Sequence, residues 1–313
     1  MTDINRPRRG TMGVRPRKRA ESQNARVFWQ DSSAKRVLGF AGYKVGMTTV
    51  SYIDNSESPT KGQEITLGGT IIEIPPMHVY GVRFYNDQQS LGDTLVTDEK
   101  VLKMLNMKKF EGKEPAMNQV TQVRLLAFTE PAKTSMAKKH IERMEIAVGG
   151  KDASEKIEYA KSLLGKPLLM KDVFKAGDFV DIIAITKGKG WQGAVKRFGI
   201  AKQRRKATGK VRHVGTLGQW HPAYVLYTVP QAGQTGYHKR TEFSKQIIKM
   251  GENVDDVNPK DGFPQYGFVK NNYVIIKGSV AGPSKRLVKL RLSIRRPTGK
   301  EIKSTFVSVA PKH

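Results

Sequence analysis

Apolar and small residues alternate along three segments in the first third of the chain. The stretch VLGFAGYKVGMTTVSYI begins at Val37 and has a glycine at every third or fourth position among apolar residues, as bent or bulged strands of small barrels do. Segments 65–74 and 78–86 are rich in β-branched and aromatic residues, and both predict strands. We therefore expect the first part of a β-barrel in this region.

Strand patterns return in the second half of the chain. Segment 178–190 predicts one strand, and segment 303–310 predicts a short last one. Segments 266–279 and 285–295 predict a closing hairpin region. Because strand patterns lie toward both ends of the chain, we expect a β-barrel built from both ends.

Helical spacing of apolar residues characterises the middle of the chain. It recurs in segments 98–107, 131–150 and 152–166. The third segment has Ser154 at a capping position, apolar residues on one face and Gly165 as the stop signal. The fold class that follows is mixed α+β, with an α-rich insertion within the barrel.

Basic residues far outnumber acidic ones, with 55 Lys and Arg against 28 Asp and Glu, for a formal net charge of +27. Like charges repel across a folded surface, so this excess predicts a polyanionic partner. Segment 54–160 has a net charge of −2, and the other 206 residues therefore carry +29. Segment 182–241 has 12 bases and no acid, segment 262–300 has nine bases and no acid, and residues 1–26 have eight bases against two acids. Three such regions beside a balanced middle predict one binding side of the folded protein.

Several classes of protein are excluded by what the sequence lacks. The absence of Cys excludes disulfides, cysteine zinc sites, iron–sulfur clusters and a thiol nucleophile. The N-terminus has no apolar signal-peptide core, and no apolar stretch approaches the ~20 residues of a membrane helix. We expect a soluble, intracellular protein. No long amphipathic helix concentrates the charge, which favours nucleic acid over a lipid surface as the partner.

One glycine motif suggests a dinucleotide cofactor, but the sequence around it does not fit a dinucleotide-binding fold. Residues 188–193 match G-x-G-x-x-G after a predicted strand, but a dinucleotide fold needs an acid about 20 residues further on, and none occurs before Glu242. A glycine turn that lets the backbone approach a neighbour closely is the better interpretation. The six histidines have no metal-binding spacing, and neither G-x-S-x-G nor the phosphate-binding loop G-x-x-x-x-G-K-[ST] occurs. We expect no enzymatic activity, no cofactor and no metal site.

Glycines, bases and aromatic residues are interleaved along segment 188–241, as expected of a loop that packs into RNA rather than on itself. Tyr224 and Tyr227 lie in an apolar run and favour core packing, whereas Trp220 lies in a turn-like GQWHP and favours exposure. The N-terminal arm has almost nothing apolar to bury, so we expect it to be disordered alone and extended along a polyanion. A nuclear-import or solubilising tail is the alternative for this arm.

Six motifs in order along the chain resemble those of the universal large-subunit ribosomal proteins of the L-three family, in its archaeal and eukaryotic form. The resemblance covers nearly the whole chain, and its least distinctive part is about 91–165. The motifs are RPRRGTMGVRPRKRA at the start, GFAGYKVGMT at 39–48, TKGKGWQGAVKRFG at 186–199, GQWHPAYV at 218–225, QAGQTGYHKRTE at 231–242 and YVIIKGSVAGPSKRLVKLR at 273–291.

This resemblance implies a barrel of the translation-protein type on the large-subunit surface, with an extension and an arm that enter the ribosomal RNA toward the peptidyl transferase centre. Trp220 and His221 would lie at the tip of the extension, near the path by which aminoacyl-tRNA enters, beside a basic lobe at 203–213. Some eukaryotic members carry a modified histidine where this chain has Thr208, so no modification is expected. The implied partners are large-subunit RNA and neighbouring ribosomal proteins, in the cytoplasm, and the implied role is structural and early in assembly.

Two rival functions are an RNA-modifying enzyme with a basic cleft and a translation factor that shares the barrel. The basic segments of this chain contain no carboxylate cluster, which argues against the enzyme, and the sequence contains no GTPase motif, which argues against the translation factor.

The domains we expect are an N-terminal arm at 1–36, barrel segments at 37–90, 166–187 and 262–313, the α-rich insertion at 91–165, and a basic central extension at 188–261. The residues we expect to contact ribosomal RNA are Arg6, Arg8, Arg9, Arg15, Arg17, Lys18, Arg19, Lys187, Lys189, Trp191, Lys196, Arg197, Lys202, Arg204, Arg205, Lys206, Lys210, Arg212, His213, Trp220, His221, His238, Lys239, Arg240, Lys285 and Arg286.

Overall fold

The computed structural model describes residues 8–87, 89–107, 119–207, 209–296 and 304–307. The chain divides into two units. The sheet unit comprises Asn24–Ala184 and Thr241–His313, and the basic unit comprises Met1–Gln23 and Ile185–Arg240.

Strands dominate the described residues, and the helices are few and short, so the predicted mixed α+β class is confirmed. Short 3-10 helices occur at Pro131–Lys133, Met170–Asp172 and Val254–Asp256. The strands and α-helices are β1 (Gly39–Ile53), β2 (Glu64–Glu73), β3 (Met77–Asn86), β4 (Gln89–Leu95), α1 (Glu99–Met104), β5 (Gln122–Thr129), β6 (Glu142–Ala147), α2 (Ala153–Ser162), β7 (Pro167–Leu168), β8 (Phe179–Ile185), β9 (Trp191–Gln192), α3 (Ala194–Phe198), β10 (Gly233–Gln234), β11 (Lys239–Gly251), β12 (Tyr273–Lys277), β13 (Leu287–Leu292) and β14 (Ser304–Val307).

The larger sheet has seven strands in the order β13-β8-β11-β12-β2-β1-β14. β13 also pairs with β1, so six of these strands form a closed ring of pairings. The ring combines β1 and β2 with four strands from the second half of the chain, β8, β11, β12 and β13. β11 begins at Lys239, inside the range expected for the central extension. The last predicted strand appears as β14, and residues 308–310 of that prediction lie outside the described residues.

β1 is long and irregular, as its glycines predicted. Its register against β2 shifts between Lys44 and Gly46. At Gly42 a Cβ atom would lie 2.7 Å from the carbonyl oxygen of Glu73 on β2, so only glycine lets the two strands come this close.

A second sheet of five strands occupies the region predicted to be an α-rich insertion, and this prediction is wrong. The order is β4-β3-β5-β6, with β7 paired to β3, so the segment 78–86 belongs here and not to the ring. The segment 131–150 forms a short 3-10 helix and β6 instead of an α-helix. Along β6 the buried Met144 and Ile146 alternate with Arg143 and Glu145, and pairing with β5 selects this period of two.

The predicted helices at 98–107 and 152–166 are present but shorter. α1 is capped by Asp98, which accepts a hydrogen bond from the backbone N–H of Lys100. α2 has Asp152, not Ser154, at its N-cap position. The predicted closing hairpin is wrong, because β12 pairs with β11 and β2 whereas β13 pairs with β8 and β1.

Both sheets contribute to one core, which contains Phe40 and Ile71 from the ring and Val82 and Leu125 from the second sheet. The hydroxyl groups of Tyr43 and Thr129 lie 2.7 Å apart and link the sheets.

A buried ion pair in the sheet unit joins Asp181 to Arg291. The Asp181 carboxylate accepts a 2.7 Å hydrogen bond from Arg291 and one from the backbone N–H of Ser244. Because both charged side chains are buried, removal of either leaves an unpaired charge in the core. Within the residues described, no helix is long and apolar enough to span a membrane.

Candidate nucleic-acid interface

Positive charge is concentrated in the basic unit. Its 79 residues contain 19 Lys and Arg and two acids, whereas the sheet unit contains 36 bases and 26 acids. The segment Ile185–Arg240 contains no acid. Its cations therefore have no carboxylate in their own segment to neutralise them, and this surface attracts a polyanion.

The base of the long loop is a small, well-ordered ladder. β9 pairs antiparallel with β10, and backbone hydrogen bonds of 2.9 Å join Lys189 to Thr235 and Thr235 to Gly190. Gly236 has a φ of +70°, and a Cβ there would fall well inside contact distance of the Lys187 carbonyl oxygen. Gly190 also has a positive φ, of +67°, but a Cβ on Gly190 or Gly193 would meet nothing within 4 Å, so the close approach is made at Gly236 and not at the glycines of the 188–193 motif.

Between α3 and β10 the described residues form turns and irregular backbone without helix or strand. Their side chains lie mostly in solvent because no sheet or helix covers them. The exposed predicted residues of the whole basic unit are Arg8, Arg15, Lys18, Arg19, Lys187, Lys189, Trp191, Lys196, Lys202, Arg204, Arg205, Lys206, Lys210, Arg212, His213, Trp220 and His221, while Arg9, Arg17, Arg197, Lys239 and Arg240 are half-buried.

Large aromatic side chains of this loop are exposed. Trp220 is 88% exposed and Trp191 76% exposed, and the exposure predicted for Trp220 is confirmed. The rings of Trp220 and His221 lie edge to face with centroids 6.5 Å apart. Tyr224 and Tyr227 are also exposed, so their predicted core packing is wrong. Their apolar run has no second layer of structure in this unit to pack against.

Arg197 acts as a brace for the loop base. Its guanidinium donates hydrogen bonds to the carbonyl oxygens of Gln231, Ala232 and Gln234 at 3.1–3.3 Å. Burial lowers its pKa, and the nearby charge of Arg17 lowers it further. Most of its donors are therefore engaged within the protein, unlike those of the exposed loop cations.

The N-terminal arm contacts this loop base through several backbone carbonyls. Arg240 donates to the carbonyl oxygen of Pro16 at 2.7 Å, and Arg8 donates to that of Thr228. The buried His238 ring lies 2.9 Å from the carbonyl oxygen of Lys18 through Nδ1. Because that ring is covered, the structure gives His238 a role in holding the arm and leaves it little surface for RNA.

The contact between Phe198 and the N-terminal arm was not identified from the sequence. The guanidinium carbons of Arg17 and Arg197 lie 5.0 and 5.1 Å from its ring centroid, and Gly10 packs directly on the ring. Only the GWQGAVKRFG motif singled out this region, and it carried no indication of a contact with the arm.

The remaining predicted residues fall elsewhere. Lys285 and Arg286 lie in the sheet unit, just before β13, and Lys285 is exposed. Arg6 and Thr208 lie outside the described residues. In the part of the chain that the structure describes, no group of three or more His, Asp or Glu is arranged to bind a metal ion.

A β-sheet unit combined with a basic arm and loop that bury little of their own surface is typical of proteins that assemble with nucleic acid. The comparisons with known proteins identify the class more closely. The family model for ribosomal protein L3 matches residues 1–100 and 94–311.

Curated relatives extend the match to nearly the full chain, and each is named large ribosomal subunit protein uL3. The protein of Methanocaldococcus jannaschii is 42% identical over 332 aligned residues, covering 99% of this chain and 98% of the relative. That of Methanothermobacter thermautotrophicus is 44% identical and covers 100% and 99%. That of Methanoregula boonei is 45% identical and covers 95% and 94%.

The chain belongs to the ribosomal protein L3 family. The family is a structural component of the ribosome and not an enzyme, so the predictions of a ribosomal protein without enzymatic activity are confirmed. Its members are components of the large ribosomal subunit, which confirms the predicted cytoplasmic location with that subunit. The relatives are archaeal, in agreement with the resemblance.

Proposed function

We propose that this chain binds large-subunit ribosomal RNA through the basic unit and holds that RNA in place as a structural protein. The observation that carries the proposal is the charge of the basic unit, with 19 bases against two acids and most of its loop cations exposed. Each phosphate that such a cation neutralises releases condensed counterions, which supplies binding free energy independent of base sequence.

The exposed indole rings support RNA rather than another polyanion. Trp191 and Trp220 present flat apolar surface at the loop, where unpaired bases stack on aromatic rings. Neither ring is needed to fill a core, because both lie largely in solvent. Phosphate contacts would thus position the loop, and stacking would fix it on unpaired bases.

The finer placement that we propose is supported by the family membership. In this proposal the closed ring of strands is the translation-protein barrel, seated on the subunit surface with neighbouring ribosomal proteins. The extension and the arm enter the RNA, with Trp220 and His221 toward the peptidyl transferase centre and the path by which aminoacyl-tRNA enters. The pre-formed contacts between arm and loop base support assembly, because less backbone has to be ordered when RNA binds.

The salt dependence of binding tests the RNA contact. For a large-subunit RNA fragment, the log–log slope of affinity against salt should be steep, at about 0.7–0.9 per phosphate contact. Replacing the four bases of the loop cluster by Gln should reduce its magnitude by up to about 2.8–3.6. That variant carries K202Q, R204Q, R205Q and K206Q.

A matched control removes the same charge from exposed lysines of the sheet unit, as K61Q, K100Q, K103Q and K151Q. The control should keep the wild-type slope. Equal slopes for all three proteins, or a slope near zero for the wild type, would contradict the proposal. Sedimentation supplies the second measurement, since the chain should comigrate with large subunits in a sucrose gradient and be released by ribonuclease.

A further inference from the structure

The sheet unit contains a polar cleft of about 500 Å³ that the proposed RNA contacts of the basic unit do not use. It lies between the segment that follows Asn24 and strands β3, β5, β6 and β13. Its lining includes five basic side chains and a single carboxylate, that of Glu145. The five bases are Arg26, Arg83, Arg124, Arg143 and Lys289.

The carboxylate of Glu145 is already saturated. Its Oε1 accepts a 2.7 Å hydrogen bond from Arg83, and its Oε2 accepts from Tyr85 at 3.0 Å and Arg124 at 3.1 Å. Arg83 is neutralised further by a bidentate pair with Asp93 at 2.6 and 2.7 Å. The carboxylates at the back of the cleft are therefore already paired, because Glu145 accepts from Arg83 and Arg124, and Asp93 accepts from Arg83.

The cations at the mouth of the cleft keep donors available. Arg26 and Arg143 are exposed, and among the described residues neither forms an ion pair with a carboxylate. Arg143 donates through one nitrogen to the carbonyl oxygen of Leu105. Deeper in the cleft, the Nε of Arg124 is buried with no hydrogen-bond partner in the described part of the chain. A buried guanidinium N–H without an acceptor is costly, so an external anion that accepts from it would be stabilised.

We propose that this cleft binds a phosphate group of large-subunit ribosomal RNA, with Arg26 and Arg143 as its outer ligands and Arg124 as its inner one. Guanidinium groups match phosphate geometry through paired N–H donors, and four of the five bases here are arginines. A protein partner fits less well, because nucleic-acid interfaces are much more positively charged than protein–protein interfaces. This inference rests on the proposed function, and it extends RNA binding to residues of the sheet unit.

Reaction of arginines with phenylglyoxal, read residue by residue by mass spectrometry, tests the site in the full chain. Four samples are compared: the free chain, the free chain with inorganic phosphate, the free chain with protein-free large-subunit RNA, and the intact large subunit. Arg26 and Arg143 should react in the free chain and be protected both by RNA alone and in the subunit. Arg204 and Arg205, in the exposed loop, report independently on the proposed function.

Each alternative outcome overturns the inference in a distinct way. Reactive Arg26 and Arg143 in the intact subunit mean that the cleft is empty there. Protection in the subunit but not by RNA alone means that a protein covers the cleft. Protection by inorganic phosphate alone, without protection in the subunit, means a site for free phosphate. If Arg204 and Arg205 also stay reactive in the subunit, the proposed function itself fails, whereas their protection confines the failure to this cleft.

A charge variant gives a second readout that needs no chemical modification. R26Q with R143Q should lower the magnitude of the salt slope by about 0.7–0.9 for each phosphate that the two arginines neutralise. The control K151Q removes an exposed cation of the same unit and should leave the slope unchanged. An unchanged slope in R26Q/R143Q, with a normal thermal midpoint, would count against the cleft.

Discussion

Trp220→Ala separates a side chain that binds RNA from one that stabilises the fold. Trp220 is 88% exposed, whereas Trp29 is 8% exposed and belongs to the core, so Trp29→Ala is the matched control. The two substitutions remove the same atoms from opposite environments. Trp29 also lines the proposed phosphate cleft, so Trp29→Ala is the control for stability and not for RNA affinity.

The magnitudes follow from burial. About 12% of the roughly 250 Å² of an indole side chain is covered at Trp220, or about 30 Å². At about 25 cal/mol per Å² this contributes less than about 1 kcal/mol to folding. Trp29→Ala should cost about 3–5 kcal/mol because it opens a cavity in the core. In the sheet unit of 234 residues the thermal midpoint should fall by about 6–20 °C for Trp29→Ala, and in the basic unit of 79 residues it should fall by about 3–6 °C or less for Trp220→Ala.

The expected effect of Trp220→Ala on RNA affinity follows from base stacking. Stacking of one base on Trp220 is worth about 1–3 kcal/mol, so Trp220→Ala should weaken binding of a large-subunit RNA fragment by roughly 5- to 150-fold. Differential scanning fluorimetry of the free chain and filter binding at constant salt measure the two effects. A large fall in the midpoint of Trp220→Ala with unchanged RNA affinity would refute the assignment of this residue to the interface.

Three further substitutions test the architecture around the interface. Gly236→Ala should destabilise the loop base, because Gly236 has a positive φ and the added Cβ would overlap a carbonyl oxygen. Gly193→Ala should be neutral because the space around Gly193 is open, and hydrogen exchange across β10 would distinguish the two variants. Arg197→Gln should increase trypsin cleavage of the loop in the free chain, because it removes three hydrogen bonds to backbone carbonyls. Lys196→Gln, at the exposed neighbouring residue, should not increase cleavage. Equal cleavage of the two variants would show that Arg197 does not stabilise the loop base. Asp181→Asn should cost about 3–5 kcal/mol in a urea titration, since it leaves a buried arginine unpaired, and a decrease below about 1 kcal/mol would contradict that account.

The local sequence pattern was sufficient to predict those strands whose apolar residues fit only an extended backbone. β1 and β2 appear close to their predicted bounds, because their β-branched and glycine-containing sequences suit an extended, partly bulged backbone. β8 begins close to where it was predicted but ends at Ile185, five residues before the predicted end. β6 was mistaken for part of a helix because its run is compatible with both periods, and pairing with the distant β5 decides between them. The predicted hairpin at the end of the chain failed for a related reason, since ring closure gives β12 and β13 partners that are far away in sequence.

The sequence alone determined that a large, acid-free and basic part of the chain exists, because charge and its distribution are properties of composition. The tertiary structure alone decided which of those cations are available. Arg197 and Lys196 are neighbours in one short helix, yet the first donates to three backbone carbonyls and the second lies in solvent. Likewise, Arg26 and Arg143 line one cleft although 117 positions separate them in the sequence. The physical reason is that a guanidinium binds whichever acceptor lies within hydrogen-bond distance, and long-range packing sets those distances.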